Sequence, residues 1–156
     1  MRDMRRTDRT ATEEEAYQVL QEGTYGILAT VDQEGQPYGV PLSYVLIDRT
    51  IYYHATNAGG TKQDNLEQNP KVTFTVVGKT RVLPEKFGTL YESAIALGTA
   101  SVVTDEEERM LAFREFVLKY SADFIPEGEK YIETMGPKAI VVKIPIESLT
   151  GKHRVS

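Results

Sequence analysis

Cysteine and tryptophan are absent from this 156-residue chain, and histidine occurs only twice, at His54 and His153. Without cysteine there is no disulfide framework, no zinc ribbon and no thiol nucleophile. Two histidines so far apart make a poor metal site, so none is expected. Cysteine usage of this kind fits a reducing cytoplasm. Long apolar runs are missing too: nothing reaches membrane-spanning length, and the opening MRDMRRTDRT is charged but lacks the apolar segment of a signal peptide. Residues 1–11 are therefore expected as a flexible or partner-docked lead-in, and the protein as cytoplasmic, with no membrane association. Positive charge is short as well. The formal net charge of −5 argues against general nucleic-acid binding, which needs a basic surface to displace counterions from phosphates. Basic residues gather at Arg2, Arg5, Arg6 and Arg9 and again at Lys152, His153 and Arg154, but short runs of this kind are usually solvated tails.

What is present suffices for a single domain over residues 1–156, long enough to bury a core without disulfides or metal. Its most informative stretch is residues 51–66, IYYHATNAGGTKQDNL. A β-rich run reaches His54, a small-residue loop follows, and Thr61 opens a short polar helix carrying Lys62. Strand, Gly-rich loop and helix N-terminus together make an anion cradle: the backbone can approach a ligand closely, first-turn N–H groups have no helical acceptor, and the helix dipole favours negative charge. The spacing of a P-loop is missing, and Gln63 stands where its hydroxyl would be.

Along the chain, Thr12 and Glu15 form a T-x-x-E capping box for a first amphipathic helix ending near Gly23. That placement also accounts for Glu13, Glu14 and Glu15, which favour the helix dipole. The segments TYGILATV, PYGVPLSYVLI and IYYHA, joined by short turns, predict an antiparallel meander. Residues 61–68 predict a helix stopped by Asn69-Pro70, and KVTFTVVG the next strand. Residues 79–87 read as a polar loop, then GTLYESAIALGTASVV as a long strand in which Gly98 marks a bulge or a close approach by another group. Thr104 and Glu107 repeat the capping box ahead of a helix with Met110, Phe113, Val117 and Tyr120 on one seam, read as core or dimer packing. A short helix over 127–135 and the strand KAIVVKIPI complete the pattern before the basic tail. Roughly six strands with about four helices, the helices mostly at the ends, favour a mainly β fold, an antiparallel barrel with peripheral helices, over a doubly wound parallel sheet.

Taken together, VPLSYV at 40–45, IYYHAT at 51–56, GTKQDNLEQNPKVTFTV at 60–76 and ALGTASVV at 96–103 resemble the pyridoxamine 5′-phosphate oxidase-like superfamily of FMN-binding split barrels, nearest to its 5-nitroimidazole resistance branch. The resemblance implies an antiparallel split barrel forming a homodimer with flavin sites at the subunit interface. It places Lys62 and Thr61 at the cofactor phosphate, where many relatives carry arginine at the position of Thr61. Val40, Pro41, Leu42 and Ser43 match the strand along the isoalloxazine ring, Tyr53, His54 and Ala55 the strand beside it, and Gly98 the block that approaches from the partner chain. FMN is the implied cofactor, ahead of FAD, deazaflavin or haem. The implied activity is oxidoreduction: electrons from a nicotinamide donor or another reductase pass to a small electron-poor acceptor such as a nitroaromatic. His54 is the candidate for direct contact with cofactor or substrate, and a non-catalytic binding module on the same barrel is the alternative. Pyridoxamine phosphate oxidase activity itself is not expected, because the Trp, Arg and His block that grips its substrate is missing and Val40 and Val45 replace basic residues on the ring strand.

Overall fold

A computed structural model describes every residue, Met1–Ser156. Thr10–Ala11 (β1) pairs with Lys152 and Gly151, so the end of the segment expected as a lead-in is a sheet strand, and Ala11 is buried. The helix Glu13–Glu22 (α1) begins as its sequence predicts. The Thr12 hydroxyl accepts from the Glu15 N–H while the Glu15 carboxylate accepts from the Thr12 N–H, so two donors that the helix cannot satisfy are paired reciprocally. Ala16, Val19 and Leu20 then close one end of the barrel.

Gly26–Val31 (β2) and Pro37–Leu42 (β3) form a hairpin whose turn is held by the Asp32 carboxylate, which accepts from the Glu34 and Gln36 N–H groups. The expected single strand through PYGVPLSYVLI breaks here. Val45–Ile47 (β4) leaves β3 and pairs instead with Thr50–Thr56 (β5). The cause lies in two residues: Pro41 offers no ladder donor, and Tyr44 turns fully into the core, where its hydroxyl donates to the distant Leu20 carbonyl. Consecutive strands thus lie at opposite edges of the sheet, and the meander is replaced by a split.

After Thr61–Gln68 (α2), the strand Lys71–Leu83 (β6) runs on through the segment expected as a loop. It pairs with Gly88–Thr99 (β7) in a long hairpin, with Phe87 in the left-handed region at its tip (φ 49°). The arm carries Val77, Val82 and Phe87 on its surface, and its mixed, solvated composition is why it reads as a loop. Ser101–Val102 (β8) leads to Glu106–Tyr120 (α3), whose cap is Asp105 and not Thr104: the Asp105 carboxylate accepts from the Glu108 N–H at 2.9 Å. Ile125–Met135 (α4) packs on α3, and Gly128 lies directly against Val117.

Ala139–Arg154 (β9) takes in the residues expected as a basic tail: Lys152, His153 and Arg154 are paired with Ser93, Glu92 and Tyr91 of β7. The sheet order is β3-β2-β6-β7-β9-β5-β4, all antiparallel, a barrel split between β3 and β4. The first half of β9 pairs with β5 and the second with β7. At the changeover Gly98 faces Ile146 across a register shift, and a Cβ there would stand 2.5 Å from the Pro145 carbonyl oxygen. The close approach expected at this glycine is made by the chain's own backbone.

One apolar cluster, with Leu28, Tyr44, Tyr53, Phe74 and Ile144 fully buried, fills the barrel; a smaller one, with Tyr52, Phe113, Phe116 and Val141, joins the outer face of β5 and β9 to α3 and α4. Tyr53 is the exception to full satisfaction, since its hydroxyl is buried without a partner. Tyr53→Phe is therefore expected to leave stability unchanged or raise it by about 1 kcal/mol, because an unpaired buried polar group costs more than it returns. Urea unfolding checks this; a clear loss would reveal a buried water on the phenol.

Candidate functional site

Alternation along β5 decides what faces outward. Tyr53 points into the barrel, and the next side chain, His54, points away from it toward α3 and α4. There it forms the floor of a cleft of about 670 Å³, continued by Ala55, Thr56 and Asn57 and bounded at one end by Ser43. The roof is aromatic and aliphatic: Phe113, Phe116, Val117 and Tyr120 of α3, with Tyr131, Ile132 and Met135 of α4. Arg109 fastens the end of this roof by donating to the Gly136 carbonyl.

The His54 ring stands edge-on to Phe116 at 4.6 Å between centroids, with Phe113 at 6.2 Å. The residue is open to the cleft, yet its imidazole lies among aromatic carbons, and this removal from water holds its pKa below the ordinary histidine value. Neutral imidazole is thus the resting form, and no carboxylate pairs with it. The sign for stability follows. As pH falls below the ordinary histidine range, the unfolded chain takes up this proton before the folded one does, so stability is intact above that range and is lost as pH drops through the lowered folded value. His54→Gln is expected to flatten this part of the dependence when urea midpoints are compared at about pH 7 and about pH 5.

Asn57, in the cleft wall, begins the loop that leads to the cradle. Asn57 N–H donates to the Lys138 carbonyl at 3.0 Å and the Gln63 side chain to the Thr56 carbonyl at 3.2 Å, so the loop between them is held at both sides. Gly59 and Gly60 take positive φ (86° and 149°), and the space where a Cβ of Gly60 would stand is open. The first helical bond of α2 is Asp64 N–H to the Gly60 carbonyl, no side chain caps the helix, and the preceding N–H groups have no helical acceptor. Lys62, in the first turn, takes part in no salt bridge. Free amides, an unpaired ammonium and the Thr61 hydroxyl suit an anionic group with several acceptor oxygens. A smaller groove of about 300 Å³ borders the same loop on its other side, but Asp64 and Glu67 line it and oppose an anion there.

Of the residues singled out from the sequence, Ser43, His54 and Ala55 line one cleft, and Thr61 and Lys62 head the helix beyond its end. Val40 and Leu42 pack partly against the barrel core, Pro41 is exposed on the β3 edge, and Gly98 is buried in β7, so none of these lines the cleft. Tyr53 offers the cleft no side chain. The aromatic roof escaped the sequence reading, because Phe113 and Val117 at helical spacing look like any packing seam, and Tyr131 and Met135 lie in a segment with no recognised motif.

A family model described as pyridoxamine 5′-phosphate oxidase matches residues 12–153. Among solved structures, a candidate 5-nitroimidazole antibiotic resistance protein from Bacteroides thetaiotaomicron superimposes with a TM-score of 0.73 at 23% identity, over 92% of this chain and 85% of that one. An FAD-binding protein from Mesorhizobium loti does so with a TM-score of 0.70 at 24% identity, over 94% and 97%. An FAD- and haem-binding protein from Mycobacterium smegmatis gives 0.72 at 16% identity, over 95% and 74%. No curated protein matches the chain.

Proposed function

The chain belongs to the pyridoxamine 5′-phosphate oxidase family, and from that premise we propose that it is an FMN-binding oxidoreductase reducing a small electron-poor acceptor such as a nitroaromatic. The observation that carries this reading is an apolar, aromatic-roofed cleft whose residues Thr56 and Asn57 begin the short loop to a helix N-terminus bearing an unpaired lysine. A flavin mononucleotide has that same division, a planar apolar ring at one end and a phosphate at the other. When bound, the flavin supplies the electron chemistry. Lys62, Thr61 and the first-turn amides of α2 would hold the phosphate, and the aromatic roof with the β5 floor would exclude water from the ring. His54, neutral in the cleft floor, would offer the ring a hydrogen bond without adding charge. The cleft's composition supports this acceptor class: it contains no carboxylate, its one formal cation is Lys138, and a neutral planar molecule suits it best. Val45, buried in β4, stands where oxidases of pyridoxamine phosphate need a cation, so that substrate does not suit it.

A homodimer with the cofactor at its interface is part of the proposal, and the apolar surface of the β6–β7 arm, with Phe87 fully exposed at its tip, supports it. The test is the visible spectrum of the purified protein after incubation with FMN, followed by anaerobic turnover with reduced nicotinamide nucleotide and a nitroaromatic. Flavin bands with reoxidation by the acceptor support the reading. A Soret band in their place would favour a haem-binding module. Flavin that no acceptor reoxidises would favour a storage or sensing role, and no uptake of FMN would refute the proposal.

A further inference from the structure

The cradle has to be held at a fixed distance and tilt from the cleft, yet α2 is mostly polar and has little apolar surface with which to anchor itself. Its one buried residue is Asn65, 5% exposed. The Asn65 amide donates to the hydroxyl of Thr30, itself fully buried in β2, at 3.0 Å. Leu66 adds only a partly buried contact to the barrel core. The Thr30 hydroxyl also donates to the Tyr38 carbonyl at 3.5 Å, so breaking the contact falls chiefly on the buried Asn65 amide, which penalises any tilt of the helix that pulls it away. Asn65 lies one turn beyond Thr61, about 6 Å along the axis, so a loosened Asn65 moves the first-turn N–H groups directly.

We propose that Asn65, through Thr30, is the positioning residue of the phosphate cradle and sets the preference of the site for a phosphorylated flavin over an unphosphorylated one. This rests on the FMN reading above and extends it to a residue that touches no ligand. The bond ties α2 to the barrel wall and leaves the cleft untouched, since neither Asn65 nor Thr30 lines it. Its loss should therefore weaken the hold on phosphate and spare the ring.

The experiment measures Kd for FMN and for riboflavin by fluorescence titration of the full-length protein. The wild type is expected to prefer FMN by tenfold or more. Asn65→Leu and Thr30→Val should each lose about tenfold in FMN affinity with riboflavin affinity within about twofold, and Thr30→Ser, which keeps the hydroxyl, should retain the preference. The double variant should lose no more than either single one. Equal loss of both ligands, or an unchanged FMN-to-riboflavin ratio in Thr30→Val, overturns the proposal. If Asn65→Leu does not fold, the comparison of Thr30→Val with Thr30→Ser decides alone. A wild type that binds neither flavin refutes the FMN reading itself; one that binds both equally leaves the flavin and refutes the cradle, and with it this role for Asn65.

Discussion

Replacing Lys62 with alanine is expected to lower FMN affinity by about tenfold to a hundredfold, the loss of one charge-assisted hydrogen bond of about 1.5–3 kcal/mol. Riboflavin affinity and the urea midpoint should stay at their wild-type values, because Lys62 has no salt bridge to break within the protein. The charge and not the side-chain length is at issue, so Lys62→Arg should recover most of the affinity, and added salt should weaken the wild type more than the alanine variant. Fluorescence titration at two ionic strengths checks all of this. An alanine variant with wild-type FMN affinity would mean that the amides suffice, or that the phosphate lies elsewhere.

The second large effect belongs to Gly98. A β-carbon there meets the Pro145 carbonyl oxygen at 2.5 Å and the Ile144 side chain at 2.7 Å, and neither is the yielding end of a flexible side chain. Gly98→Val is expected to cost about 3 kcal/mol, the upper end of overpacking penalties and a large part of the 5–15 kcal/mol that holds a typical domain together. Chemical denaturation measures it. The outcome also separates two roles for this position. A purely local role in letting β9 pass from one half of the barrel to the other predicts lost stability first, with any cofactor loss following from it. A Gly98→Ala variant of normal stability that binds no flavin would instead place the glycine at the cofactor.

The parts of this molecule legible in its sequence are those governed by neighbours in the chain. The Thr12–Glu15 box, the turn after Val31 and the stop of α2 at Asn69-Pro70 depend on a few adjacent residues, and each appears where the residue types put it. The misread parts depend on distant partners. Lys152, His153 and Arg154 look like a solvated tail until β7 pairs with them, and residues 80–83 look like a loop until they find residues 88–91. The break at Ser43-Tyr44 is subtler: a strand pattern runs straight through it, and beside the missing donor of Pro41 it is the need to bury Tyr44 and to bond its hydroxyl to Leu20 that turns the chain. The capping residue Asp105 displaces Thr104 because both can cap and one residue of phase decides between them.

The site divides along the same line. Its floor and cradle, His54 with Thr61 and Lys62, fall within one contiguous block of sequence and could be found there. Its roof comes from α3 and α4, far along the chain, and is built from residue types that any helix uses for packing. Tyr53 shows the limit of a motif without a face: it sits next to His54 in sequence and on the opposite side of the strand in space.

The strand β9 is hydrogen-bonded to β1, β5, β7 and β8 along different parts of its length. Opening either half of the barrel therefore breaks its hydrogen bonds to the strand they share, and backbone amides at the centre of that strand are expected to exchange with solvent at the rate of global unfolding. The helix that carries the cradle is outside this arrangement. It is held to the barrel by Asn65, Leu66 and its flanking loops, so it can loosen and reclose while the barrel stays intact. Capture and release of a phosphate at the proposed cradle would then draw on a small local opening energy, separate from the cooperative stability of the protein.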